Sequence, residues 1–172
     1  MAAKQQDQDT TKLWSMIRDI RICMMTTMDA DGTLRSRPMG NVQTGQTEFD
    51  GVLWFFTRAS AHKNFEIAEH KQINLAYASP GDRHYVSVSG RASLVRDKNK
   101  AEQLWGDPVR AWFPNGKDDP EIALVRVRPE RAEYWDSPSS TIVHMYGYAK
   151  AALTGKPPHP GDNAKVDLET AR

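Results

Sequence analysis

The chain has 172 residues, with 23 positive side chains against 22 negative ones, a length that argues for one domain with at most short extensions. Hydrophobic residues make up 39% and the mean hydropathy is −0.66, and no apolar run is long enough for a membrane-spanning helix. The near-cancelling charge removes the global field that would recruit nucleic acid or an anionic membrane. A single cysteine, Cys23, rules out an intrachain disulfide and any Cys-built metal site.

Met1 to Thr11 is polar and lacks the apolar core of a signal peptide, so the cytoplasm is the expected compartment. These first residues are expected to fray. From Asp9 or Thr10 to about Asp19, Leu13, Trp14, Met16, Ile17 and Ile20 recur at helical spacing and predict a short amphipathic helix. Arg21 to Met28 reads as a strand ending at Asp29-Ala30-Asp31-Gly32, where Gly32 can supply the positive φ of a hairpin turn. Thr33 to Gln43 is the second strand, and its Pro38 cannot donate to a ladder, which points to an edge or bulge. After a loop holding Gly45 and Gly51 comes the most apolar stretch, Val52 to Thr57. Ser60 is placed to N-cap a helix running to His70, with Phe65, Ile67 and Ala68 inward.

Gln72 to Ala78 returns as a strand. In the next one Val86, Val88, Gly90, Ala92 and Leu94 alternate with Ser87, Ser89, Arg91 and Ser93, a period of two that no helix produces. Asp97 caps a predicted helix through Trp105. A turn-rich segment, Gly106 to Pro120, precedes a strand at Ile122 to Arg128 and a partner strand at Arg131 to Trp135. Ser139 begins a last predicted helix reaching Ala149, and Pro157 to Gly161 reads as extended. Six or seven strands in hairpin-like succession, with helices only at corners and ends, exclude a parallel βαβ order. They fit a small antiparallel barrel, whose closure removes exposed edges.

Standard catalytic signatures are missing: no Gly-x-Gly-x-x-Gly, phosphate-loop Gly-Lys-Ser/Thr, His-Glu-x-x-His or Gly-x-Ser-x-Gly occurs. The five histidines show no ligand spacing, so no metal is expected, and Cys23 reads as a buried small hydrophobe. One junction carries a site argument. Phe55 to Lys63 runs from an apolar strand into a helix start, where free N–H groups suit a phosphate. Thr57 and Ser60 add hydroxyls and Lys63 a cation. The plain alternative makes Ser60 a cap only and Lys63 a solvated side chain. Arg35 and Arg37 share one strand face; they form either a charged edge that resists aggregation or, through Arg37, a second phosphate ligand if that strand lies beside Phe56-Thr57. Trp105, Trp112 and Trp135 fall in the second half, as core or as walls for a planar ligand.

Taken in order, these pieces resemble the FMN-binding split-barrel superfamily related to pyridoxamine 5′-phosphate oxidase, in its general stress protein branch. The matching residues are Arg37-Pro38-Met39, Phe55-Phe56-Thr57 with Ser60 and Lys63, and Ser89-Gly90-Arg91-Ala92. Trp112-Phe113-Pro114, Asp118-Asp119-Pro120 and Tyr134-Trp135-Asp136 match the branch itself. The resemblance implies a mainly β fold (α+β by content), a six-stranded antiparallel split β-barrel with peripheral helices. It also implies a homodimer with FMN, or alternatively FAD, at the subunit interface.

Carried over, Thr57, Ser60 and Lys63 hold the phosphate with Arg37. Met39, with Pro38 beside it, and the backbone near Phe55 and Phe56 flank the isoalloxazine ring. Trp135, or less directly Trp112, comes from the second subunit. The expected organisation is a frayed segment 1–11, a barrel domain 12–154 and an extended arm 155–172. Pyridoxamine phosphate oxidases carry an arginine- and histidine-bearing substrate motif after the last strand. Pro138-Ser139-Ser140-Thr141-Ile142 offers hydroxyls but no such pair, which argues against vitamin B6 oxidation.

The expectation is therefore an FMN-binding flavoprotein acting in stress response as a flavin-dependent oxidoreductase, with NAD(P)H or a small molecule as redox partner. The rival is a non-catalytic protein that binds or sequesters flavin. A third reading, a small barrel stacking single-stranded nucleic acid on exposed aromatics, is disfavoured by the charge balance.

Overall fold

Leu13, Trp14, Met16 and Ile17 form the buried stripe of helix α1 (Ala2–Ile17). In this computed structural model, which describes residues 2–46, 48–136 and 162–168, the helix begins well before Asp9. Ala2, Ala3, Lys4, Gln5 and Gln6 are all good helix formers, so the polar segment expected to fray continues the helix instead. Its C-terminal carbonyls are collected by Asn41, whose Nδ2 donates to the carbonyls of Ile17, Arg18 and Ile20 at 3.3, 3.1 and 3.1 Å.

Strand β1 (Ile22–Met28) turns Cys23, Met25 and Thr27 inward and pairs antiparallel with β2 (Leu34–Gly40) through a turn where Gly32 has φ 82°. β3 (Leu53–Arg58) follows. The buried Gln43 lies along it, its Nε2 donating to the Val52 carbonyl at 3.1 Å and its Oε1 accepting from the Trp54 amide at 2.9 Å. This side chain completes the end of an edge strand where no neighbouring strand does.

Helix α2 (Lys63–Glu69) starts three residues later than Ser60, with His62 at its N-cap position and no side-chain cap bond. The turn before it is shaped by Asn64 Nδ2, which donates to the carbonyls of Arg58 and Ala59 at 2.8 and 2.7 Å. The helix buries Glu66 and Ile67 and leaves Ala68 exposed. β4 (Gln72–Ser79) and β5 (His84–Val95) come next. Helix α3 (Lys98–Gln103) is capped as expected, Asp97 accepting from the Lys100 amide at 2.9 Å. The turn-rich stretch after it contains one short helix, α4 (Asp107–Arg110).

The two strands expected around Pro129 are one continuous strand, β6 (Ile122–Asp136), paired with β5 along its length. Pro129 has no N–H to give the ladder, and the register shifts at Ser89/Gly90, opposite it. Gly90 is required there, because a Cβ would lie 2.3 Å from the Arg128 carbonyl oxygen. The strand continues through the proline with this shift of register. β7 (Asp162–Asp167) pairs with the distal half of β6 and buries Val166, so this part of the expected extended arm is a strand. The predicted helix from Ser139, the segment Pro138 to Ile142 and Pro157 to Gly161 lie outside the described residues.

The sheet runs β2-β1-β4-β5-β6-β3 with every pairing antiparallel, and β7 joins β6 off that path. β2 and β3 end the path without being paired to each other, so the barrel is split. Inside it, Met25, Phe55, Leu75, Val88, Val125 and Val127 pack against the α1 stripe; burying each such side chain contributes about 1.5–3 kcal/mol. A smaller cluster, Trp54, Ala101, Leu104 and Leu124, lies under α3. Among the described residues no helix is long and apolar enough to cross a membrane.

Candidate functional site

Arg37 and Thr27 face inward from β2 and β1 and meet Glu66 from α2. The Arg37 guanidinium grips the Glu66 carboxylate with both terminal nitrogens, Nη1 to Oε2 at 2.8 Å and Nη2 to Oε1 at 3.1 Å. The Thr27 hydroxyl donates to Oε2 as well. The Glu66 side chain is only 1% exposed, so this is a buried carboxylate with each oxygen satisfied. Arg37, helped by Thr27, holds its pKa below the usual carboxylate range, against the opposing effect of burial. Glu66 is therefore ionised at neutral pH.

Lys63, three residues earlier on α2, joins the same charge cluster. Burial, and then the Arg37 charge, lower its pKa, while Glu66 partly offsets them. It is half-buried, and its ammonium has no ion-pair or hydrogen-bond partner among the described residues. Arg37 uses two of its five N–H groups on Glu66 and makes no other bond among those residues. The sheet order does not place β2 beside β3, as the phosphate expectation for Arg37 assumed. Curling of the sheet brings Arg37 to the helix that follows β3 instead.

Ser60 is placed differently. Its hydroxyl donates to Glu121 Oε2 at 2.6 Å and its amide approaches the same oxygen at 3.4 Å, so a carboxylate of the chain itself occupies both donors. Thr57 is buried, and its hydroxyl makes only a long 3.4 Å contact to the Arg58 carbonyl. The Oδ1 of the buried Asn64 has no partner among the described residues.

The expected ring-flanking residues separate. Met39 and Phe55 are buried in the main core and Pro38 is exposed. Phe56 points the opposite way from Phe55, packing against Trp105 and Phe113 with ring centroids 6.1 Å apart in each case. The Trp54 amide faces the open side of β3, where Gln43 meets it. By the alternation of an antiparallel ladder, the N–H and C=O of Phe56 turn to the same open edge. Trp112 is 74% exposed and Trp135 39% exposed. Trp135 sits on the outward face of β6 between Tyr85 and Asn163, apart from Trp105, which packs against Phe56.

Asp29, His62 and Glu66 offer ligand atoms within 4.8 Å of one another. Both Glu66 oxygens are already committed to Arg37, and a divalent cation there would face that guanidinium. The donor set does not suit a metal. Cys23 is buried, which raises its thiol pKa to about 12, consistent with a packing role rather than a nucleophile.

The family model for pyridoxamine 5'-phosphate oxidase like proteins matches residues 8–159. The chain belongs to this family. Among its relatives, the protein bli-3 of Neurospora crassa is 29% identical over 161 residues, covering 88% of this chain and 76% of that protein. The general stress protein 26 candidate of Jannaschia sp. CCS1 superposes with a TM-score of 0.74 at 25% identity, covering 94% of this chain and 99% of its own. The general stress FMN/FAD binding protein of Xanthomonas citri gives a TM-score of 0.66 at 29% identity, over 78% of this chain and 92% of its own. These relatives put the chain in the general stress protein branch of the pyridoxamine 5'-phosphate oxidase like family.

Within this family member, sequence reasoning missed Glu66, Thr27, Asn64 and Glu121. A glutamate three residues after a lysine on a helix reads as a solvated pair, and nothing local marks Glu66 as buried. The one available signal was Arg37 itself, an inward position on a strand that needs an anion.

Proposed function

We propose that the protein is an FMN-binding flavoprotein of the general stress type, a cytoplasmic homodimer acting as a flavin-dependent oxidoreductase. The observation that carries this reading is the half-buried Lys63 ammonium, without a partner among the described residues, beside an Arg37 guanidinium that keeps three N–H groups open. Arg37, Lys63 and the ionised Glu66 together leave one net positive charge and several unused donors, which suits an anion rich in acceptor oxygens such as a phosphate monoester. Charge-assisted hydrogen bonds of this kind are the strong class. The open N–H and C=O of Phe56 complement the imide edge of a flavin, which presents one donor between two acceptors. The Xanthomonas citri relative, named for FMN/FAD binding, supports the same cofactor class, with FAD as the alternative.

FMN supplies the redox chemistry when bound; Arg37 and Lys63 anchor its phosphate, and the β3 edge orients its ring. Support for the dimer comes from the outward sheet face, where Met24, Tyr85 and Trp135 are exposed among small residues such as Ala76 and Ser87.

Calorimetry with FMN and riboflavin tests the phosphate reading: FMN binds much more tightly, and equal affinities overturn it. Arg37→Ala and Lys63→Ala each weaken FMN binding by about 1.5–3 kcal/mol if each makes a charged hydrogen bond. Reduction of the bound flavin by NAD(P)H, followed by turnover with an acceptor, separates an oxidoreductase from a flavin carrier. Light scattering at micromolar concentration tests the dimer.

A further inference from the structure

We propose that Glu66 is a positioning residue for the anion site, holding the Arg37 guanidinium so that its unused N–H groups face the incoming phosphate, and that Glu66 thereby sets how strongly the protein prefers a phosphorylated flavin. The inference rests on the phosphate reading above and names a residue that no ligand touches. An arginine side chain is long and loses considerable rotamer freedom when it is fixed. Here that ordering is already done in the free protein, because Glu66 takes Nη1 and Nη2 together.

A fork-to-fork contact fixes the plane of the guanidinium as well as its position. It leaves the Nε–H and one hydrogen on each terminal nitrogen for a ligand. Thr27 in turn fixes the carboxylate from β1, so the guanidinium is held from a second strand and a helix at once. Preorganisation of this kind raises affinity by removing the cost of ordering at binding.

An opposite effect must be weighed. Glu66 is an anion near a phosphate, and removing its charge alone would strengthen attraction. Arg37 lies against the carboxylate and its charge offsets most of that repulsion. Losing the bidentate hold lets the guanidinium turn out of its fixed plane. The positioning effect therefore wins, and the sign of the mutational result decides between the two.

The test uses the full chain and measures the dissociation constants of FMN and of riboflavin. Glu66→Gln keeps the size but loses one acceptor and the charge. It is expected to raise the FMN constant about tenfold, the equivalent of one lost charged hydrogen bond, with riboflavin unchanged, so that the FMN preference falls. Thr27→Val leaves every charge in place and is expected to give a smaller loss in the same direction. It also serves if Glu66→Gln does not fold. In an Arg37→Ala background Thr27→Val should leave the FMN preference unaltered, and Glu66→Gln should no longer lower it but raise it, because the unmasked negative charge is then removed; a merely structural role would not produce this coupling. An FMN preference that is unchanged or increased in Glu66→Gln, or in Thr27→Val, overturns the inference. A wild-type protein that binds FMN and riboflavin equally removes the phosphate reading instead, and this inference with it.

Discussion

Ser60 and Glu121 are bound to each other across the loops at the open end of β3: the hydroxyl donates to the carboxylate at 2.6 Å, and the amide of the same serine leans on the same oxygen at 3.4 Å. A phosphate at this junction would seek the same two donors. Glu121 thus competes for them as an internal anion. Glu121→Ala is expected to tighten FMN binding several-fold, since freeing the donors and removing a negative charge act in the same direction. Riboflavin affinity should not move. Titration of the variant with both ligands checks this, and a weaker FMN affinity would show that Glu121 shapes the turn rather than competing for it.

Lys63 gives the site a proton signature. Burial, and then Arg37, lower its pKa below the usual 10.5 in the free protein, and a bound phosphate dianion restores it. Between the lowered value and 10.5, FMN binding is therefore expected to take up a proton at Lys63, with affinity falling as pH rises. Below that window Lys63 is charged in both states and contributes no uptake. The same shift acts on folding with a defined sign: a lysine with a lowered pKa costs stability while protonated, and this cost disappears as pH rises through the window. Calorimetry in two buffers of different ionisation enthalpy, at neutral and alkaline pH, measures the uptake. Lys63→Met should abolish it.

Trp135 lies on the outward sheet face beside Tyr85. It is 39% exposed on the outward face of β6, whereas a fully buried tryptophan replaced by alanine costs about 3–5 kcal/mol. Trp135→Ala is expected to cost less than that and to leave a cooperative unfolding transition, while any quenching of flavin fluorescence falls. Thermal unfolding and flavin emission are read on the same samples. A strongly destabilised variant whose folded fraction still quenches normally would return Trp135 to a purely structural role.

Gly90 makes a prediction about the fold alone. Gly90→Ala places a Cβ 2.3 Å from the Arg128 carbonyl oxygen and 2.9 Å from Pro129 Cα. Both are backbone, so neither can swing aside. Overpacking of this sort typically costs about 1–3 kcal/mol, and chemical denaturation should place this variant at or beyond the upper end, with the crossing of β5 and β6 disturbed. Ala92→Gly, two residues along the same face, should cost far less.

Much of the architecture is readable in the sequence where a local rule decides it. The valine–serine alternation of β5, the Gly32 hairpin and the Asp97 cap each rest on a period, a dihedral or a single hydrogen bond, and the structure shows all three. The errors share a different origin. Pro129 reads as a strand end because its missing N–H is a local fact, whereas the register shift that accommodates it depends on Gly90, 39 residues away. Ser60 has the chemistry of a cap, yet its bond goes to Glu121, which only the folded chain brings near. Glu66 is the clearest case: a charged helix position is solvated by default, and its burial makes sense only opposite Arg37. Paired charges of this kind have no periodicity to betray them.

The split between β2 and β3 also bears on how the barrel breathes. Sheet edges without ladder partners are the natural route of local opening, and here the Arg37–Glu66 ion pair reaches across the gap, from β2 to the helix that β3 feeds. One side-chain clasp does there what backbone bonds do elsewhere around the sheet. A phosphate seated on Arg37 and Lys63 adds a second clasp across the same seam. Ligand binding should therefore slow hydrogen exchange in Leu34–Gly40 and Leu53–Arg58 together, while the amides of β5, paired on both sides, exchange as before.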